Sequence, residues 1–401
     1  MMTIRRSVLL PAFLLAMLCF PRQGFAQDDR TLEALEAQVV EIFSTTCTQA
    51  GCHVGPVPQQ EMDLTPEHFY QSIVDEPSKE KPDLKRVNPG DPENSYLIHK
   101  IEGRSDIEGV QMPLVGDKLS EEQVNTIKAW IHKLSEVDES RKTEQVPEEP
   151  YPFLGWKVVN LPTNRTVDQG NFLFLIGHRF NPPLSDGYDA LFGLDGSGII
   201  LLNLGYAVTD NLFVNLGRSN AADDVELNVK LRLAQQGDWP VSAGVQGTVN
   251  WLSEKPPGEP RLRGEALAFT TQVMLTRALS DRAGIALVPG ILLHPAPGMD
   301  GENPLITLGV GGRWRFTRTL AVVGEWVPIL SGYIRTRTFG NENRFDSWAG
   351  GLEIATAGHV FQIVLGNSVG IATDQYLRGG DLDLAEGDMR LGFNIFRVLT
   401  F

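Results

Sequence analysis

The sequence predicts a multidomain chain: an N-terminal all-α domain followed by an all-β antiparallel outer-membrane barrel of about twelve strands. Three observations carry that prediction. Apolar residues recur at helical spacing between residues 30 and 135. From about Asn171 onward the period changes to two, without helical interruption of consequence. On those alternating segments the polar positions hold long charged residues, as a solvated lumen would require, rather than small polar ones.

The chain has 401 residues, enough for two domains that each bury a core. Its net charge of −15 argues against a nucleic-acid partner, because there is no basic stripe to displace counterions. Gly is abundant at 40 residues, which favours turns and strands over a purely helical protein. Three cysteines exclude a disulfide-rich scaffold.

Residues 1–26 read as a secretory signal: Arg5 and Arg6 form the charged start, Ser7 to Phe20 the apolar run, and Gly24-Phe25-Ala26 the cleavage region. Cys19 leaves with that segment. Leu18 occupies the place where a lipoprotein signal needs a small residue. Arg5-Arg6 also allows twin-arginine export, and either route leads out of the cytoplasm.

Residues 27–135 form the helical domain. Leu32, Leu35, Val39, Ile42 and Phe43 share one face of a helix over 30–46. A second helix is expected from Thr65-Pro66 and a third from Asp91-Pro92 to Gly103, each with a capping residue followed by Pro. Ser120-Glu121-Glu122-Gln123 is a capping box opening a fourth helix with Val124, Ile127, Trp130 and Ile131.

The first helix runs into Cys47-Thr48-Gln49-Ala50-Gly51-Cys52-His53. Two thiols followed at once by an imidazole are the groups that attach a c-type haem, although the usual spacing is C-x-x-C-H and here it is C-x-x-x-x-C-H. A disulfide in an exported protein is the other reading. Met112, on the loop before the last helix, is the expected sixth ligand opposite His53, giving a six-coordinate iron. Met62 is its rival, and His68, His99 and His132 read as surface imidazoles.

Cys47 to His53, the run from Lys85 to Leu97, Met112-Pro113 and the stretch from Leu119 to Ile131 together resemble a family of small exported monohaem c-type cytochrome domains common in planctomycetes. The resemblance covers the first domain. It implies a cytochrome c-like fold with one covalent haem c on Cys47 and Cys52, with His53 and Met112 on the iron, and the disulfide becomes the minor reading.

Residues 136–153 form a charged, Pro-containing linker. The barrel then occupies 154–401. Asp224 to Leu233 shows the period best, with Val225, Leu227, Val229 and Leu231 alternating with Glu226, Asn228, Lys230 and Arg232. Strands are expected to begin near Asn171, Ile199, Asn211, Asp224, Val241, Gly264, Ala283, Pro304, Leu320, Ser347, Val360 and Met389. Pro289 and Pro328 interrupt two of them. Six of the seven tryptophans lie in this half, as an aromatic girdle requires, and the chain stops on a strand ending in Phe401. Arg397 breaks the apolar face of that strand. A soluble sandwich is the competing architecture. Glu226, Lys230, Arg232, Arg313, Arg315, Glu325 and Glu353 are expected to face the lumen, and 367–388 is expected to be an outer loop.

The two halves together predict a haem-binding electron-transfer protein of the cell envelope. It would lie in the outer membrane with its haem domain periplasmic, have no enzymatic activity, and contact membrane lipids and a redox protein or small mediator. In architecture it resembles the fused porin–cytochromes of iron-oxidising bacteria, with a larger helical domain and different cysteine spacing. The alternative is an outer-membrane channel or transport protein whose first domain caps the pore or senses redox state. A barrel of about twelve strands is too narrow to admit a domain some 26 Å across.

Overall fold

The computed structural model describes residues 30–136, 152–295, 303–332 and 345–399, apart from 50, 56, 256, 318 and 357. The signal segment, most of the linker and Phe401 lie outside the described residues.

In the first domain, α1 (Leu32–Thr46) is capped by Thr31, whose hydroxyl accepts the Ala34 N–H at 3.3 Å. Its apolar stripe of Leu35, Val39, Ile42 and Phe43 is buried against α4 (Glu121–Lys133), which contributes Ile127, Trp130 and Ile131. The Ser120–Gln123 capping box forms with both of its hydrogen bonds. Between them lie α2 (Phe69–Ile73), which starts later than Pro66, and α3 (Tyr96–Glu102). Gly103 ends α3 at φ +70°, a conformation that favours glycine. Phe43, Phe69 and Trp130 stack edge to face or tilted at 6.0 and 5.9 Å and fill the space between the helices. Among the described residues no helix is long and apolar enough to cross a membrane.

Among the described residues of the second domain, thirteen strands form a single sheet in which every named pair is antiparallel. They are β1 (Phe172–Phe180), β2 (Gly198–Ala207), β3 (Leu212–Ser219), β4 (Asp224–Ala234), β5 (Ser242–Leu252), β6 (Leu267–Ala278), β7 (Ala283–Leu293), β8 (Leu305–Arg315), β9 (Leu320–Val327), β10 (Ile329–Ser331), β11 (Ser347–Ala355), β12 (Val360–Gly366) and β13 (Arg390–Leu399). β1 pairs with β13, and β8 pairs with β9, so the sheet closes on itself and has no open edge. β9 and β10 flank Pro328 and both pair with β8, so they act as one broken strand of a twelve-stranded barrel. Pro289 lies inside β7, where the pairing with β6 lapses between Gln272↔Gly290 and Leu275↔Leu287.

Side chains alternate as the sequence requires. On β4, Asp224, Glu226, Asn228 and Lys230 are buried, whereas Leu227, Val229 and Leu231 are exposed. The outer face is an apolar band that includes Leu202, Leu204, Leu216, Ile285, Val310 and Ile363. Short turns at 208–211, 279–282 and 316–319 share one end with both barrel termini, and longer connections such as 181–197 and 253–266 share the other. By the rule that turns are short on the periplasmic side, the first is the periplasmic end. Trp239, Trp314 and Trp326 are exposed, but Trp156 departs from the expected girdle and is buried inside the barrel.

Candidate functional site

The lumen is occupied by two segments of the chain itself. The first, 153–164, precedes β1 and enters from the periplasmic end. It folds as a tight hairpin: Val158 donates its N–H to the Leu161 carbonyl at 2.8 Å, and Thr163 donates to Trp156 at 2.9 Å. Its residues Trp156 to Leu161 are all buried.

Polar residues of the wall hold this hairpin by its main chain. The Glu325 carboxylate on β9 accepts the N–H groups of Val159, Asn160 and Leu161 at 2.9–3.0 Å and the Asn160 side-chain amide at 2.8 Å. Consecutive main-chain N–H groups pointing at one anion form a nest, and here the anion comes from the barrel. Lys230 on β4 donates to the carbonyls of Trp156, Thr163 and Arg165 at 3.2, 2.8 and 3.3 Å. Gln362 donates to Val158 at 2.7 Å and Asn394 to Val159 at 3.1 Å. Arg179 reaches the Asn160 side-chain carbonyl at 3.0 Å.

Packing fits the same hairpin. A Cβ on Gly309 would come within 2.4 Å of the Leu161 side chain, and one on Gly311 within 2.9 Å of Val158. These two glycines of β8 therefore make room for the insert. Val158, Val159 and Leu161 join Ala286, Val288 and Val323 in a buried apolar cluster.

The second segment, 367–382, connects β12 to β13 and turns inward from the outer end, where the sequence leads one to expect an exposed loop. Its helix α5 (Thr373–Leu377) is buried throughout. Thr373 donates its N–H and hydroxyl to Glu226 at 2.9 and 3.0 Å, Gln375 donates to Asp224 at 3.0 Å, and Gln272 donates to the Tyr376 hydroxyl at 3.0 Å. Arg390 clamps Asp381 through two bonds of 2.6 and 2.9 Å. Tyr376 and Leu377 belong to the same apolar cluster as Val158 and Leu161, so the two inserts share one core inside the barrel.

Glu226, Lys230, Arg313, Glu325 and Glu353 are buried in the barrel, and Arg313 and Glu353 pair with each other at 2.7 Å. Arg232 and Arg315 are less buried, near the periplasmic turns. The inserts themselves escape the sequence reading, although the apolar residues Trp156, Val158, Val159 and Leu161 ahead of the first strand are a signal.

The haem assignment is corrected. Among the described residues no group of three or more His, Cys, Asp or Glu side chains is placed to hold a metal ion. Cys47 closes α1, donating its N–H to Phe43 at 2.8 Å, and packs on the helical core. Burial pushes its thiol up to about 11, so it stays protonated at neutral pH. Cys52 is likewise a free thiol. His53 is buried, its Nδ1 lies 3.2 Å from the Gln59 carbonyl, and burial pushes its pKa down. Met62, not Met112, packs on the helical core, while Met112 sits on a loop tied to α3 by its N–H to the Lys100 carbonyl at 3.0 Å. Both ring nitrogens of His99 are engaged, by Asp106 at 2.9 Å and the Glu93 carbonyl at 2.8 Å. With no such group among the described residues, the haem c, iron and metal-binding reading is withdrawn, and the electron-transfer reading that rested on it is not carried forward.

Comparison with known proteins agrees with the barrel. The family model described as "Membrane bound beta barrel domain (DUF5777)" matches residues 153–399, and so includes the first insert and leaves out the helical domain. An outer-membrane channel from Pseudomonas putida F1 is similar at 13% identity and a TM-score of 0.38, over 59% of this chain and 98% of that one. The KdgM porin is similar at 8% identity and 0.35, over 57% and 99%. The outer membrane protein Omp33 of Acinetobacter baumannii is similar at 9% and 0.31, over 57% and 98%. No curated protein matches the chain. The barrel domain lies in the outer membrane.

Proposed function

Because the chain belongs to the membrane bound beta barrel family that this model describes, we propose that it acts as an outer-membrane channel or transport protein, closed in this conformation by its own inserts. The helical domain stands at the periplasmic mouth, and the protein performs no covalent chemistry of its own.

The observation that carries this reading is how the hairpin is held. It adds no strand to the sheet, and its contacts with Glu325, Lys230, Gln362 and Asn394 are hydrogen bonds that water can replace. The barrel closes without it, through β1–β13 and β8–β9. Withdrawal of both inserts therefore leaves the wall intact around a lumen lined by Asn, Gln, Glu and Lys. A wall of that kind favours water and polar solutes over lipid.

Recording from the purified full chain in planar lipid bilayers tests the proposal. It predicts long closed periods with discrete current steps when the inserts leave. An absence of steps at all voltages, from both the native chain and a variant with a loosened hairpin, would count against a channel.

A further inference from the structure

We infer that the lumen wall is a binding site for a peptide main chain, occupied here by the chain's own residues 156–163 and open to a peptide in trans when they withdraw. The inference rests on the channel reading and names the class of molecule that the lumen recognises.

The argument starts from what the lumen charges face. Inside the barrel, Arg313 pairs with Glu353, Arg390 with Asp381, and Arg378 with Asp374, while Glu226 and Asp224 meet Thr373 and Gln375 of the second insert. Glu325 and Lys230 are the charged pair of the wall that faces the hairpin. Both are buried; main-chain N–H groups of the hairpin donate to Glu325, and Lys230 donates to its main-chain carbonyls. A buried charge needs compensation, and here peptide dipoles supply it. Gln362 and Asn394 add two further contacts to main-chain carbonyls. Four side chains from β4, β9, β12 and β13 thus read one hairpin by atoms that every peptide has.

Side-chain selection is coarse by comparison. Val158 and Leu161 lie over Gly309 and Gly311, where the wall leaves space for two aliphatic groups. Asn160 is addressed through its side chain by Glu325 and Arg179. The ligand expected is therefore a short peptide that can form a tight turn, with aliphatic residues flanking a small amide or polar residue. The covalent tether keeps 156–163 at high effective concentration, so a free peptide competes only after the segment leaves.

Two variants of the full chain empty the site without touching the wall. One deletes residues 156–163 from the otherwise full chain, and the other carries Val158→Asp with Leu161→Asp. The probe is a fluorescently labelled synthetic peptide, Trp-Lys-Val-Val-Asn-Leu-Pro-Thr, with blocked ends. Anisotropy should show saturable binding to either variant that retains the heat-modifiable mobility of a folded barrel. Adding Glu325→Gln should weaken that binding about 100-fold, the scale of two lost charge-assisted hydrogen bonds less the lower cost of burying an amide. In bilayers the peptide should block the current of the emptied barrel. No saturable binding to folded variants, or binding indifferent to Glu325→Gln, overturns the inference. Saturable binding by a barrel that never conducts would instead overturn the channel reading and leave the peptide site standing.

Discussion

Replacing Glu325 by Gln should release the hairpin, and the size of the effect follows from the contacts. One carboxylate oxygen accepts the N–H groups of Val159, Asn160 and Leu161, and the other accepts from the main chain and side chain of Asn160. Glutamine keeps the volume and one acceptor oxygen but turns an NH2 group toward N–H donors. At least two charge-assisted bonds are lost, at about 1.5–3 kcal/mol each. A neutral amide costs less to bury than a carboxylate, which returns part of that loss. The net change is about 3 kcal/mol, or more than 100-fold in the equilibrium between seated and withdrawn hairpin. Single-channel recording from the full chain reads it as open time. An open fraction within about threefold of the native chain, a change under about 1 kcal/mol, would refute the view that Glu325 holds the lumen closed.

Two further outcomes concern the helical domain. Trp130→Ala removes a fully buried side chain from between α1 and α4 and should destabilise that domain by about 3–5 kcal/mol. Hydrogen exchange should show the loss there while the heat-modifiable mobility of the barrel is unchanged. Burial raises the Cys47 thiol to about 11, so its alkylation by iodoacetamide should be slow at neutral pH and accelerate as pH climbs toward that value, because the thiolate is the nucleophile. Peptide mass mapping reads the modified residue, and a Cys47 that resists alkylation at every pH in the unfolded chain would contradict a free thiol.

Much of the fold is legible in the sequence because alternation is a local property. The expected strand starts at Asp224, Ala283, Leu320, Ser347 and Val360 coincide with those observed, and the start near Gly264 falls short of Leu267, where a 3-10 turn over Gly264–Ala266 intervenes. The capping box at Ser120 and the stop at Gly103 are likewise written in neighbouring residues. The inserts are not legible for the converse reason. Residues 153–164 carry no period of two, and their environment is the inside of a barrel built from residues up to 235 positions away, as the Asn394–Val159 bond illustrates. Residues 367–382 have the Gly and charge content of an outer loop, and only the partners Asp224, Glu226 and Gln272 turn them inward. The Cys47–His53 motif misleads because order along the chain does not fix geometry. Its first cysteine ends a helix and packs on the core, while Met112 hangs from α3 on a different loop.

The central claim is that the lumen opens only when residues 156–163 leave it, and a reversible tether tests it most directly. A Cβ at Gly311 would stand 2.9 Å from the Val158 side chain, close enough for a disulfide between Val158→Cys and Gly311→Cys. The pair is placed in a full chain that also carries Cys47→Ser, Cys52→Ser and Glu325→Gln. With the bond formed, the account predicts no current in planar bilayers, and discrete openings once a reductant breaks it. Equal current from the oxidised and reduced protein, with the bond verified by mass, would contradict it.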